Sequence, residues 1–373
     1  MVSKREEKNN SSLFWQELNN PRYCRALASR LQGLVQGDIR FMEVCGTHTH
    51  TIFQSGLKSL FPQGLQHVSG PGCPVCVTHA DDIAAFVELA RTPGVTVATF
   101  GDMLRVPGPD GLSLQDAQAE GASIKICYSP FDAVHFAQEN PSREVVFLGV
   151  GFETTAPAVA ATMHTAGERG LSNLSLYSCH KLIPPALDAL LRSPGFAIDG
   201  FLLPGHVSTV IGLSPYSFLP REQGDPCVIA GFEPADVLQA LLMLVKRINQ
   251  EEPDVDNQYS RAVAPEGNSR AQEMMSKVFA RAEAQWRGLG IIPSSGLELR
   301  QEYAHMDAKQ RFSLSLRNRG EPAGCRCGEV LQGAILPRDC SLFAASCTPA
   351  SPVGPCMVSS EGSCAAWYKY GLE

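Results

Sequence analysis

The sequence predicts an α/β protein: two units built on parallel sheets, followed by a small cysteine-rich C-terminal segment. Three observations lead there. Short β-branched runs alternate with stretches compatible with helices, the pattern of parallel strands joined by helical crossovers. Distinctive polar motifs follow directly on several of those runs, where open α/β sheets carry their sites. Six of the thirteen cysteines fall in the last 49 residues, and these are Cys325, Cys327, Cys340, Cys347, Cys356 and Cys364.

In chain order, strands are expected at 39–44, 95–100 and 124–126, then at 145–150, 174–177, 201–203 and 228–230. Helices are expected at 81–90, 157–166 and 234–248. The spacing places one α/β unit at 22–140 and a second at 141–250. A polar tail at 1–21, rich in Lys, Glu, Asn and Ser over its first twelve residues, precedes them. From 251 the character changes: 251–257 reads as a polar linker, 269–286 as a helix, and 325 onward as cysteine-rich coil forming a separate metal-binding element within 251–373.

Composition narrows the function classes. Hydrophobic residues make up 44% of the 373 and charged ones 18%, so the chain can bury sizeable cores. A formal net charge of −7 without a Lys/Arg cluster argues against binding nucleic acid, which needs concentrated positive charge. No apolar run reaches the roughly 18–20 residues of a membrane span, and no signal-peptide pattern opens the chain. A cytoplasmic protein is expected, and there thirteen cysteines point to metal or thiol redox chemistry and not to a disulfide framework.

Four thiolates can hold an iron–sulfur cluster. Structural zinc usually draws on two close Cys-x2–4-Cys knuckles, and the wide spacing of the C-terminal cysteines fits iron–sulfur better. Four ligands leave two thiols over, and a spare pair can act as a reducible disulfide. Cys73-Pro74-Val75-Cys76 has the Cys-x-x-Cys form of thioredoxin-like redox sites; half of a zinc site is the alternative. Cys45-Gly46-Thr47-His48-Thr49-His50 puts one thiol and two imidazoles at a strand end, a donor set that suits iron. Cys24, Cys127, Cys179 and Cys227 read as packing residues, and His180 as a hydrogen-bonded structural histidine. His206 remains a functional candidate.

From about residue 22 to 370 the chain resembles the HypD family of hydrogenase maturation proteins. The resemblance is carried by 43–49 (Glu-Val-Cys-Gly-Thr-His-Thr), 70–76 (Gly-Pro-Gly-Cys-Pro-Val-Cys), 151–155 (Gly-Phe-Glu-Thr-Thr) and 204–208 (Pro-Gly-His-Val-Ser). It continues through 231–234 (Gly-Phe-Glu-Pro), 257–259 (Asn-Gln-Tyr), 286–290 (Trp-Arg-Gly-Leu-Gly) and the segment 356–368 that opens on Cys356. The resemblance implies two Rossmann-like domains plus a third with a four-iron, four-sulfur (4Fe-4S) cluster. It implies a scaffold that works with a HypC-type chaperone, on which iron bearing two cyanides and one carbon monoxide, Fe(CN)2CO, is assembled. HypE supplies the cyanide, and HypC hands the product to the hydrogenase large-subunit precursor.

Carried over residue by residue, the resemblance makes Cys45 the thiolate that holds the Fe(CN)2CO iron, with His48 beside it, and Cys73/Cys76 the redox-active dithiol. The cysteine-rich region also resembles that of ferredoxin:thioredoxin reductases. That likeness implies cluster ligation by Cys325, Cys340, Cys347 and Cys364, and a relay pair of Cys327 and Cys356. Electrons would pass from the cluster through Cys327/Cys356 to Cys73/Cys76, making this an accessory assembly factor more than a turnover enzyme. Two rival readings use the same cysteines: a stand-alone iron–sulfur-dependent thiol-disulfide reductase, and a zinc-stabilised interaction module.

Overall fold

The computed structural model describes residues 18–314 and 320–371; most of the polar tail at 1–21 lies outside them. Two parallel sheets carry the fold. The first has strand order β2-β1-β7-β8-β9, built from β1 (Ile39–Glu43), β2 (Leu65–Ser69), β7 (Gly200–Pro204), β8 (Cys227–Ala230) and β9 (Val255–Asn257). The second has order β4-β3-β5-β6, from β3 (Val95–Thr99), β4 (Ser123–Ile126), β5 (Glu144–Gly151) and β6 (Leu174–His180). All seven expected strands are present, and most of their residues are buried, as crossover helices on both faces require.

Three sequence expectations need correcting. The sheets do not divide near residue 140: the chain starts one sheet, builds the whole second sheet, then returns to add β7, β8 and β9 beside β1. Residues 251–257 are not simply a linker, because β9 pairs with β8. The helix expected at 269–286 stops at Val278; Phe279–Trp286 is β10, antiparallel to β11 (Gly290–Leu299). Phe279-Ala-Arg-Ala-Glu-Ala-Gln-Trp is rich in helix formers, but Arg281, Glu283 and Gln285 alternate with alanines, and tertiary pairing overrides propensity. A register shift between Ala282 and Ala284 lets Phe279 and Trp286 both be buried despite their odd spacing.

The helix Pro21–Leu34 shows how the layers are fixed. The Asn20 side chain accepts the backbone N–H of Arg22 at 2.9 Å, and Pro21 occupies a first-turn position that needs no donor. Cys24, Leu27, Ala28 and Leu31 then fall on one face and pack on the helix Pro234–Gln250. Burying Leu27 and Leu31 contributes roughly 1.5–3 kcal/mol each. No helix among the described residues is long and apolar enough to cross a membrane.

The C-terminal segment is not a detached element. Its last helix, Ser363–Tyr370, packs on the helix Gly46–Gln54, with Trp367 5.5 Å from Phe53 between ring centroids. The turn Pro355–Met357 packs on the short helix Pro74–Val77. Cysteine-rich segment, dithiol and Cys45 therefore converge.

Candidate functional site

Cys45 follows β1 and caps the helix Gly46–Gln54. It is buried, and its backbone N–H donates to Glu43 Oε2 at 2.9 Å. Burial pushes its thiol up to about 12, helped by the carboxylates of Glu361 and Glu43 and opposed by the N–H groups of Thr47 and His48. Such a thiol stays protonated at neutral pH unless a cation replaces the proton. Glu43 is fully buried, accepts a short hydrogen bond from Thr49 Oγ1, and has His67 Nε2 3.5 Å away.

His48, one turn on, is fully buried. Its Nε2 lies 3.0 Å from the Gly231 carbonyl and 3.2 Å from that of Ala230. Carbonyls only accept, so Nε2 carries the hydrogen and Nδ1 is left with a lone pair. That Nδ1 has no hydrogen-bond partner among the described residues, and burial holds the imidazole neutral. Phe232 is stacked between His48, 4.9 Å away, and the exposed His206, 3.7 Å away. His50 is turned elsewhere, with Nδ1 3.3 Å from the Ser360 carbonyl.

Cys73 and Cys76 are both buried and joined as a disulfide across the helix Pro74–Val77. The loop before them touches Cys45 directly. Gly46 N–H donates to the Gly72 carbonyl at 2.9 Å, and a Cβ on Gly72 would overlap the backbone of Val44 and Cys45. Only glycine permits that approach.

In the C-terminal segment Cys327, Cys356 and Cys364 hydrogen-bond to one another, and Cys325 to Cys327. Hydrogen bonds from Cys327 and Cys356 pull Cys364 down to about 6, while Cys356 is pushed up by the same contacts and by burial. Cys347 accepts the Val353 N–H at 3.3 Å and lies within electrostatic reach of Cys325 and Cys327. A Cβ at Gly354 would come within 2.6 Å of Cys325 Sγ and 2.7 Å of Cys327 Sγ, so the chain is pared to backbone beside these sulfurs. Cys340 stands outside this hydrogen-bonded group, half-buried next to Arg326. Among the described residues no three His, Cys, Asp or Glu side chains already surround a metal-sized point. The thiol contacts thus group Cys364 with Cys327 and Cys356, a different grouping from the ligand and relay sets that the resemblance implies.

Of the cysteines read as packing residues, Cys24, Cys127 and Cys227 are buried. Cys179 has company the sequence did not signal. It borders a pocket of about 210 Å³ with its near neighbour Lys181 and with Asp82 and Lys309, which are distant in sequence. His180 is buried with Nδ1 3.2 Å from Ser178 Oγ, a structural placement. Glu153 is a second residue whose setting the sequence leaves unread: its buried carboxylate accepts the Ile183 N–H at 3.0 Å, and burial pushes it up to about 7. It borders a cleft of about 870 Å³.

Residues 22–371 match the family model HypD, described as "Hydrogenase formation hypA family". The chain is 47% identical over 358 residues to the hydrogenase maturation factor HypD of Azotobacter vinelandii, covering 94% of each chain. It is 48% identical over 354 residues to HypD2 of Bradyrhizobium diazoefficiens, with 93% of each covered. To HypD of Escherichia coli it is 46% identical over 349 residues, again with 93% of each covered. Matches of this extent mean that the chain belongs to the HypD family of hydrogenase maturation factors.

Proposed function

We propose that this chain is a hydrogenase maturation scaffold that works in the cytoplasm, holding the iron of Fe(CN)2CO at Cys45 while a HypC-type chaperone supplies the remaining protein ligation. The observation that carries this reading is that Cys45 and His48, whose Nδ1 is orphaned, lie in one buried helical turn and offer two soft-to-borderline donors. Metal binding displaces the Cys45 proton, which is released to solvent, whereas His48 Nδ1 already presents a lone pair fixed by the bonds at Nε2. The buried shell of Glu43, Val44 and Gly72 around Cys45 excludes water. HypE as cyanide donor and the hydrogenase large-subunit precursor as recipient complete the expected set of partners.

The C-terminal thiols fit an iron–sulfur cluster: several soft donors converge, the Gly354 backbone packs directly against two of the sulfurs, and backbone N–H groups point at Cys347. Cys325, Cys340, Cys347 and Cys364 would hold it, and when bound it supplies single electrons. The contact between Cys327 and Cys356 supports their role as a relay pair, as does the packing of the Cys356 turn on the Cys73–Cys76 helix. In the exchange, Cys356 gives up its proton toward the Cys73/Cys76 pair as its sulfur attacks the Cys73–Cys76 bond and forms a mixed disulfide. Cys327 then displaces the dithiol and is itself oxidised with Cys356. Two electrons and two protons move to Cys73/Cys76, leaving a Cys327–Cys356 disulfide to be reduced again.

The test is infrared spectroscopy of the protein purified anaerobically with its HypC-type partner. Cyanide and carbonyl stretches are expected. Their absence from a complex that carries iron and acid-labile sulfide would move the assignment to a stand-alone thiol-disulfide reductase.

A further inference from the structure

Arg287 lies between the two thiol sites, 1% exposed. Its backbone N–H donates to the Val77 carbonyl at 3.0 Å and its Nε to the Thr78 carbonyl at 3.0 Å, both at the end of the helix that carries Cys73 and Cys76. Nη1 is paired with Glu321. Nη2 is buried and has no hydrogen-bond partner among the described residues. The thiols of Cys327, Cys325 and Cys356 and the carboxylate of Asp82 lie within electrostatic reach of the guanidinium. Gly288, the next residue, touches Gly328 backbone to backbone, which holds this turn against the helix Cys327–Leu331.

A buried guanidinium is retained only where negative charge and acceptors compensate it. Here one carbonyl and one partly exposed carboxylate account for part of its donor set, and the two N–H donors of buried Nη2 are left uncommitted. Sulfur that becomes anionic on the cysteine side would accept from Nη2 and meet a permanent charge, since arginine does not deprotonate in proteins.

We propose that Arg287 is a positioning residue that sets the electron affinity of the cysteine-rich site. It provides a fixed cation and a spare donor beside the sulfurs, favouring the more negative, reduced state. The inference rests on the iron–sulfur reading above. No bond is made or broken: one electron adds one negative charge, and no proton leaves Arg287.

The test is an EPR-monitored redox titration of the full chain purified without oxygen, after iron and acid-labile sulfide have been measured. Arg287→Met removes charge and donor with similar bulk. Reduction is expected to become about tenfold less favourable, a midpoint lower by roughly 59 mV for one electron, with iron content unchanged. Arg287→Lys should fall between that variant and the parent. Glu321→Gln, at a half-exposed position, leaves the cation uncompensated and should move the midpoint upward. Unchanged midpoints in Arg287→Met and Glu321→Gln overturn the proposal. If Arg287→Met does not fold, the sign in Glu321→Gln decides: an upward shift supports the role, and no shift or a downward one sinks it. A parent chain without acid-labile sulfide fails at the first measurement, and that outcome removes the cluster itself.

Discussion

Gly72 and Cys45 share a backbone contact so close that no side chain fits between them. The loop that delivers the dithiol is thereby seated on the turn that presents Cys45, and the Gly46 N–H to Gly72 carbonyl bond locks the pair. Gly72→Ala forces one segment off the other. Because the obstacle is backbone, relief by a rotamer change is closed. The expected cost is about 1–3 kcal/mol, the range for overpacking, read as a lower denaturation midpoint. Stability equal to the parent's would show that the loop can part from Cys45 freely.

The fold class was legible in the sequence because β-branched runs announce buried parallel strands whatever their partners. Which strands pair was not. Phe41 pairs with Gly200, 159 positions away, and nothing in either segment specifies the other. β2 escaped notice because Leu65-Gln-His-Val-Ser mixes polar and apolar residues and includes a buried histidine. At the site, Cys45 and the Cys73/Cys76 pair were readable from local spacing. Arg287 and Phe232 were not, since their meaning comes from what the fold places beside them.

Glu153 gives the fold a pH dependence with a definite sign. Its folded-state value of about 7 lies above the ordinary 4.5 because burial penalises the charged form. The folded state therefore binds the proton more tightly than the unfolded chain, and stability falls as pH rises from about 4.5 to about 7. The size is on the order of 3 kcal/mol. Glu153→Gln keeps an oxygen to accept the Ile183 N–H and removes the charge. It should flatten the decline between pH 5 and pH 8 and raise stability at pH 8, measured by urea unfolding. A parallel profile in parent and variant would show that another group governs that window.

Cys45→Ser isolates the metal-holding role proposed for Cys45. Serine is close in size but is a harder and far less acidic ligand, so the variant should fold and retain its C-terminal iron. The complex with the HypC-type partner should lose the cyanide and carbonyl bands. His48→Ala removes a buried ring that stacks on Phe232 as well as the Nδ1 lone pair; it should weaken the bands and cost roughly 1–3 kcal/mol in stability for the acceptors it orphans. Because the C-terminal helix packs on the helix Gly46–Gln54, iron content must be measured in both. Full bands in Cys45→Ser would remove the thiolate from the mechanism.

The division of labour among the C-terminal cysteines is open to a direct comparison. If Cys325, Cys340, Cys347 and Cys364 hold the cluster, replacing Cys340, Cys347 or Cys364 by alanine should cost iron and brown colour. Cys356→Ala should keep about four irons per chain and yet leave Cys73 and Cys76 oxidised under reductant supplied at the cluster. The fold makes Cys356 the informative position. It hydrogen-bonds to Cys327 and to Cys364, and its turn is packed on the dithiol helix. A thiol that touches both groups can serve either, as ligand or as relay. Iron analysis decides, with thiol trapping of Cys73 and Cys76 as the second readout. Iron lost in Cys356→Ala but retained in Cys340→Ala would put Cys356 in the ligand set and Cys340 outside it, in line with the thiol contacts that join Cys356 to Cys327 and Cys364.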